Sequence, residues 1–185
     1  MSKKSLAGEI KEPSKVKGFF IDLIKDILFS IAVVAMVAAV LYAYSGIWPP
    51  MVSVDGRSML PNMIQGDLII IRSVDKAGIV AYNDATGNGY MMFNNYGDVI
   101  VYRPMGDVSH TPVIHRAMYW VEEGEPMWND GPPAPHSGYI TQGDNNYLYD
   151  QSSTISPGQP VKKEWIIGVS QFRLPYLGMI KSKLG

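Results

Sequence analysis

Ser58, His115 and the aspartates Asp144 and Asp150 are residues of the types that hydrolytic chemistry through a serine needs: a nucleophile, a general base and an orienting carboxylate. Ser58 lies in Val54-Asp55-Gly56-Arg57-Ser58-Met59-Leu60-Pro61, directly after the strand-like Met51-Val52-Ser53-Val54. A serine in a glycine-containing turn is usually only a turn residue. At the end of a strand, however, it can present its hydroxyl to a cleft while its own backbone N–H points at an oxyanion.

Three histidines are available as base, His110, His115 and His136. His110 sits in a Ser-His-Thr-Pro turn and His136 in a proline-rich stretch, whereas His115 lies inside the apolar run from Val113 to Val121. Strand alternation there puts it on one face with Val113, Ala117 and Tyr119. A desolvated lysine is the competing base. No lysine occurs between Ala77 and Val161, so the central strands carry none, and histidine suits the role better. The carboxylate comes from Gly143-Asp144-Asn145-Asn146 or from Asp150, and spacing alone does not choose between them. The same segment also reads as an Asx turn. It matches a calcium loop poorly, because Leu148 stands at the third ligand position and no glycine follows. Zinc has no support either: there is no cysteine and no His-x-x-x-His spacing. No metal or organic cofactor is expected.

The elements that must position these residues begin with a membrane anchor. Residues 27–44, ILFSIAVVAMVAAVLYAY, carry no charge and would span ~27 Å as a helix. Tyr42, Tyr44 and Trp48 gather at the far end, as interfacial aromatics do, and Pro49-Pro50 are expected to stop the helix. Lys3, Lys4, Lys11, Lys15 and Lys17 precede the run, which places the N-terminus in the cytoplasm and the rest of the chain outside. The expected organisation is a cytoplasmic tail at 1–26 (amphipathic near Phe19–Ile24), an anchor at 27–48 and an extracytoplasmic domain at 49–185. A cleaved signal peptide is the alternative, but the leader and the apolar run are both long for one.

Beyond the anchor the chain reads as mainly β, with short strands at 68–72, 99–103, 113–121, 139–141 and 165–172 and no long amphipathic helix. A closed or partly closed antiparallel sheet follows from that pattern. Residues 73–96 and 122–138 look like irregular insertions flanking a groove. The apolar segment 172–180 is too short to span and reads equally as an interfacial segment or a packed terminal strand. A net charge of −1 gives no general electrostatic case for nucleic acid.

Five blocks in order resemble the type I signal peptidases, in the branch found in archaea and the endoplasmic reticulum. They are Gly56–Pro61, Gly66–Ile70, Gly97–Tyr102, Val113–Arg116 and Thr141–Asn146 with Asp150. The resemblance implies a mostly β catalytic core that cleaves signal peptides from exported preproteins after small residues at −1 and −3, at the lipid bilayer. It implies Ser58 as nucleophile and His115, where bacterial relatives carry lysine, as general base. Asp150 would orient the imidazole, with Asp144 supporting the loop or sharing that role. One departure is Gly56, where bacterial relatives often carry a hydroxyl residue that helps to hold the oxyanion. A membrane-tethered β domain that binds partners without catalysis is the alternative from another class. A self-cleaving repressor-like protease of similar fold is disfavoured by the anchor and the missing lysine.

Overall fold

A computed structural model describes residues 13–177, with side chains from residue 17 onward. The tail up to residue 12 and the end of the apolar C-terminal segment lie outside the described residues. Helix α1, Pro13–Ser45, takes in part of the expected tail, and its portion Lys17–Ser45 is long and apolar enough to cross a membrane. The helix stops at Ser45, before the expected proline pair. Gly46 adopts a φ of 75° and donates its N–H to the Tyr42 carbonyl at 2.7 Å, a left-handed C-terminal cap that glycine takes without strain.

The chain up to Leu41 forms one unit and the chain from Tyr42 another. The second unit is built on a six-stranded antiparallel sheet. Its strands are β1 (Met51–Ser53), β2 (Leu68–Arg72), β5 (Val99–Tyr102), β6 (Val113–Val121), β7 (Gly138–Gln142) and β8 (Ile166–Leu174), in the spatial order β1-β2-β8-β5-β6-β7. Strand β5, one of the two central strands, is buried along its whole length, which is why its sequence is continuously apolar rather than alternating. Val99 and Val101 join Met59, Met63, Ile69 and Ile71 in one core cluster, while Ile100 and Tyr102 join Ala117, Val161 and Val169 in another. Each such aliphatic side chain contributes about 1.5–3 kcal/mol on burial.

Four strand spacings separate β1 from β6, ~19 Å in a flat sheet. Yet Ser58, on the β1–β2 connection, touches His115 on β6. The sheet is therefore curled into a half-barrel, and the connection closes across it. Met59 and Met63, at most 1% exposed, pin that connection into the core. Its far end is held by Arg173, which donates to the Asn62 carbonyl at 2.8 Å and pairs with the buried Asp67.

Within the β unit two expectations change. Strand β6 is bulged: Ala117 faces Thr141 and Tyr119 faces Ile140, so Met118 is an extra residue that reverses the alternation. Tyr119 therefore leaves the face of His115 and packs with Val121, Met127 and Ile140, while Trp120 takes its place against Tyr139. The segment 73–96 is not irregular. It folds as α2 (Val74–Ala77), α3 (Tyr82–Asn88) and a hairpin of β3 (Met91–Met92) with β4 (Asn95–Tyr96). The hairpin turns through Phe93 and Asn94, with φ of 52° and 58°. Two left-handed residues suit the right-handed twist of a two-residue hairpin, and packing of Phe93 against the core offsets the strain of that conformation.

Candidate active site

Ser58, His115 and Asp150 form one hydrogen-bonded line. The Ser58 hydroxyl lies 2.8 Å from His115 Nε2, and His115 Nδ1 lies 2.7 Å from Asp150 Oδ2 and 2.9 Å from Oδ1. His115 and Asp150 are buried, at 2% and 0% exposure. With Nδ1–H donating to the carboxylate, Nε2 is left to accept from the serine, the tautomer a general base requires. A strand mounts the histidine and a 3-10 turn, Asp150–Ser152, mounts the aspartate.

Asp144 stands elsewhere. Its two oxygens receive Nε and Nη2 of Arg116 at 2.7 Å each, and Asn62 Nδ2 also reaches Oδ2 at 2.7 Å. Occupied in this way, the carboxylate is not arranged for calcium, and no cluster of potential metal ligands occurs among the described residues. The remaining histidines are apart from the line. His110 pairs with Asp107 at the surface, and His136 contacts Gln159 and the edge of Trp165.

Arg116 carries a structural role that the sequence reading left unassigned. It is 1% exposed, and besides gripping Asp144 it donates through Nη1 to the carbonyls of Met92, Tyr96 and Gly97. One guanidinium thus ties the hairpin to the Gly143–Asn146 loop. A charged residue within an apolar strand was the available signal, since a buried charge requires partners. The loop in turn braces the nucleophile: Asn145 N–H donates to the Ser58 carbonyl at 2.7 Å, and its side chain donates to the Arg57 carbonyl. Gly143 packs so closely that a Cβ there would stand 2.6 Å from the Ser58 carbonyl oxygen and 2.9 Å from His115 Nε2.

Another buried carboxylate, Asp98, supports the hairpin from just before β5. It accepts from Val80 N–H and from the Tyr90 hydroxyl, both at 2.8 Å. Burial raises its pKa above the usual carboxylate value despite those bonds and the nearby Arg116 charge. Burial, together with the Asp98 bond and charge, pushes the Tyr90 phenol up to about 12.

Beside the Ser58 hydroxyl opens a cleft of about 340 Å³, walled by residues 53–56 on one side and 111–115 on the other, with Ile155 also in its lining. It adjoins a larger apolar depression of about 740 Å³ running to Pro49 and Leu68. The Ser58 N–H has no protein acceptor among the described residues. Gly56 faces the serine, and a Cβ there would lie 3.9 Å from the hydroxyl oxygen. The arrangement can deprotonate a hydroxyl next to an extended groove that is largely apolar.

No family model matches this chain. Among curated proteins it is similar to the signal peptidase complex catalytic subunit sec11 of Dictyostelium discoideum, 26% identical over 151 residues that cover 81% of this chain and 69% of that protein. The chain thus has a homologue in the branch of signal peptidases to which its motif blocks pointed.

Proposed function

We propose that this sec11 homologue is a membrane-bound serine endopeptidase that removes N-terminal signal peptides from exported preproteins, cutting after small residues at −1 and −3. The observation that carries the proposal is the Ser58–His115–Asp150 line, with contacts of 2.8 and 2.7 Å beside an open cleft. His115 Nε2 takes the Ser58 proton as Oγ attacks the scissile carbonyl, and the resulting imidazolium is held by Asp150. The Ser58 N–H stabilises the oxyanion. His115 returns the proton to the leaving amine, and the acyl-enzyme is then hydrolysed by water that His115 activates in the same way. Asp144 acts on the loop that braces Ser58 rather than on the imidazole.

The substrate binds extended between the cleft walls, pairing its backbone with a strand edge. Its signal peptide stays in the bilayer, and α1 keeps the enzyme in the same membrane, N-terminus in the cytoplasm and the β unit outside. Sharing one membrane raises the effective concentration of enzyme and substrate. The test is processing of a preprotein in membranes. Ser58→Ala and His115→Ala should each abolish cleavage while thermal unfolding stays cooperative. Cleavage that persists in Ser58→Ala would reject the assignment and favour a β domain that binds without catalysis.

A further inference from the structure

Asp150 is held from two strands by hydroxyl groups that signal peptide cleavage by a serine–histidine pair does not by itself require. The Tyr102 hydroxyl, from β5, donates to Oδ2 at 2.8 Å, and Thr141 Oγ1, from β7, donates to the same oxygen at 2.7 Å. Thr141 is closer to Asp150 than to the Tyr102 oxygen at 3.3 Å, so its one proton goes to the carboxylate. Gln151 donates to Thr141 Oγ1 at 3.2 Å and accepts from Thr141 N–H at 3.0 Å, which fixes the rotor. Tyr102, Thr141 and Asp150 are each 0% exposed, and Gln151 is 2% exposed.

Three donors therefore converge on Oδ2, because His115 Nδ1 also approaches it, at 2.7 Å, whereas Oδ1 receives the imidazole alone at 2.9 Å. Each donor stabilises the ionised carboxylate, and the three share the lone pairs and charge of one oxygen. Burial, and then the Asp150 charge, raise the Tyr102 pKa well above the usual phenol value, so its hydroxyl remains a donor across the working range.

We propose that Tyr102 and Thr141 are positioning residues that clamp Asp150 and, by sharing its negative charge, limit how firmly it holds His115 in the protonated form. The inference rests on the reading of Ser58, His115 and Asp150 as the catalytic line. The other groups around the imidazole are few. Ser58 and, on the cleft wall, Asp55 come from the β1–β2 connection. The Arg116–Asp144 pair belongs to the opposite face of β6, by alternation from His115.

The experiment uses the full chain in membranes with a preprotein substrate, and compares kcat, KM and pH profile for wild type, Tyr102→Phe, Thr141→Val and Thr141→Ser. Loss of one hydrogen bond to a buried carboxylate should lower kcat about tenfold with KM unchanged. With its charge less shared, Asp150 holds the imidazolium more firmly, so the acidic limb of the profile moves to higher pH in Tyr102→Phe and Thr141→Val. Thr141→Ser, which keeps the hydroxyl, should restore both. An unmoved limb with unchanged kcat, a change in KM alone, or a Thr141→Ser no better than Thr141→Val overturns the proposal. If Tyr102→Phe loses its cooperative thermal transition, the two Thr141 variants decide by the same criteria. Cleavage abolished by Ser58→Ala but untouched by the hydroxyl variants removes only the clamp. Cleavage that survives Ser58→Ala removes the catalytic line on which the clamp depends.

Discussion

Replacing Gly143 with alanine perturbs the geometry of the site without adding or deleting any reactive group. The added methyl would lie 2.6 Å from the Ser58 carbonyl oxygen, 2.8 Å from Asn146 Nδ2 and 2.9 Å from His115 Nε2, where ordinary contact begins at 3.4 Å. Relief at the carbonyl alone requires a movement of about 0.8 Å, the difference between an ordinary contact and the available gap. That carbonyl is fixed by Asn145 N–H at 2.7 Å, and the imidazole by Asp150, so the movement falls on the Ser58–His115 separation, now 2.8 Å. A misplacement of about 1 Å can cost 10²-fold in rate, or about 2.7 kcal/mol in transition-state stabilisation. Overpacking of this kind also lowers stability by about 1–3 kcal/mol. The expected result for Gly143→Ala is a loss of about 100-fold in kcat/KM for preprotein cleavage, measured in membranes at a temperature where thermal unfolding shows the variant still folded. Activity within threefold of wild type would show that the loop does not set the separation of nucleophile and base, and the bracing argument would fall.

Asp144→Asn leaves the guanidinium of Arg116 buried with a neutral amide in place of the carboxylate, and should destabilise the fold by about 3–5 kcal/mol in urea titration. Asp150→Asn should instead act mainly on rate, lowering kcat by about 10⁴ through the wrong histidine tautomer; equal effects of the two variants on both readouts would contradict the separation of roles. Asp98 gives a pH dependence. Its folded-state pKa is raised, so the folded protein holds this proton more tightly than the unfolded chain, and the resulting stability is present below the ordinary aspartate value of 3.8 and lost as pH rises through the folded value. Comparison of urea midpoints across that acidic window should show wild type losing stability relative to Asp98→Asn as pH rises; parallel curves would refute the linkage. Removal of residues 1–41 should release the remaining unit from the membrane fraction on sedimentation, and continued sedimentation would show that α1 is not the anchor.

The residue types carried much of this reading. The apolar run, the lysine-free centre and the short β-branched strands depend on local composition, and they marked the helix, the histidine and most of β2, β5, β6, β7 and β8 within a residue or two. Short-range periodicity is visible in a sequence because each strand reports its own burial. The helix ends ahead of the proline pair because a left-handed glycine stops a helix as surely as proline does, and Gly46 comes first. The bulge at Met118 was hidden because an extra residue in a strand has no mark of its own; only pairing with β7 reveals that Tyr119 has changed faces.

Which aspartate meets His115 was likewise beyond the sequence. Asp144 and Asp150 stand on the same loop with similar local chemistry. Arg116 points to the other face of β6 and claims Asp144, while Tyr102 and Thr141, from two other strands, gather around Asp150. That assignment is made by partners far apart in the chain, brought together by the pairing of β5, β6 and β7. Local sequence determined what each residue could do; the long-range pairing of buried charges and hydroxyls decided which of them meet.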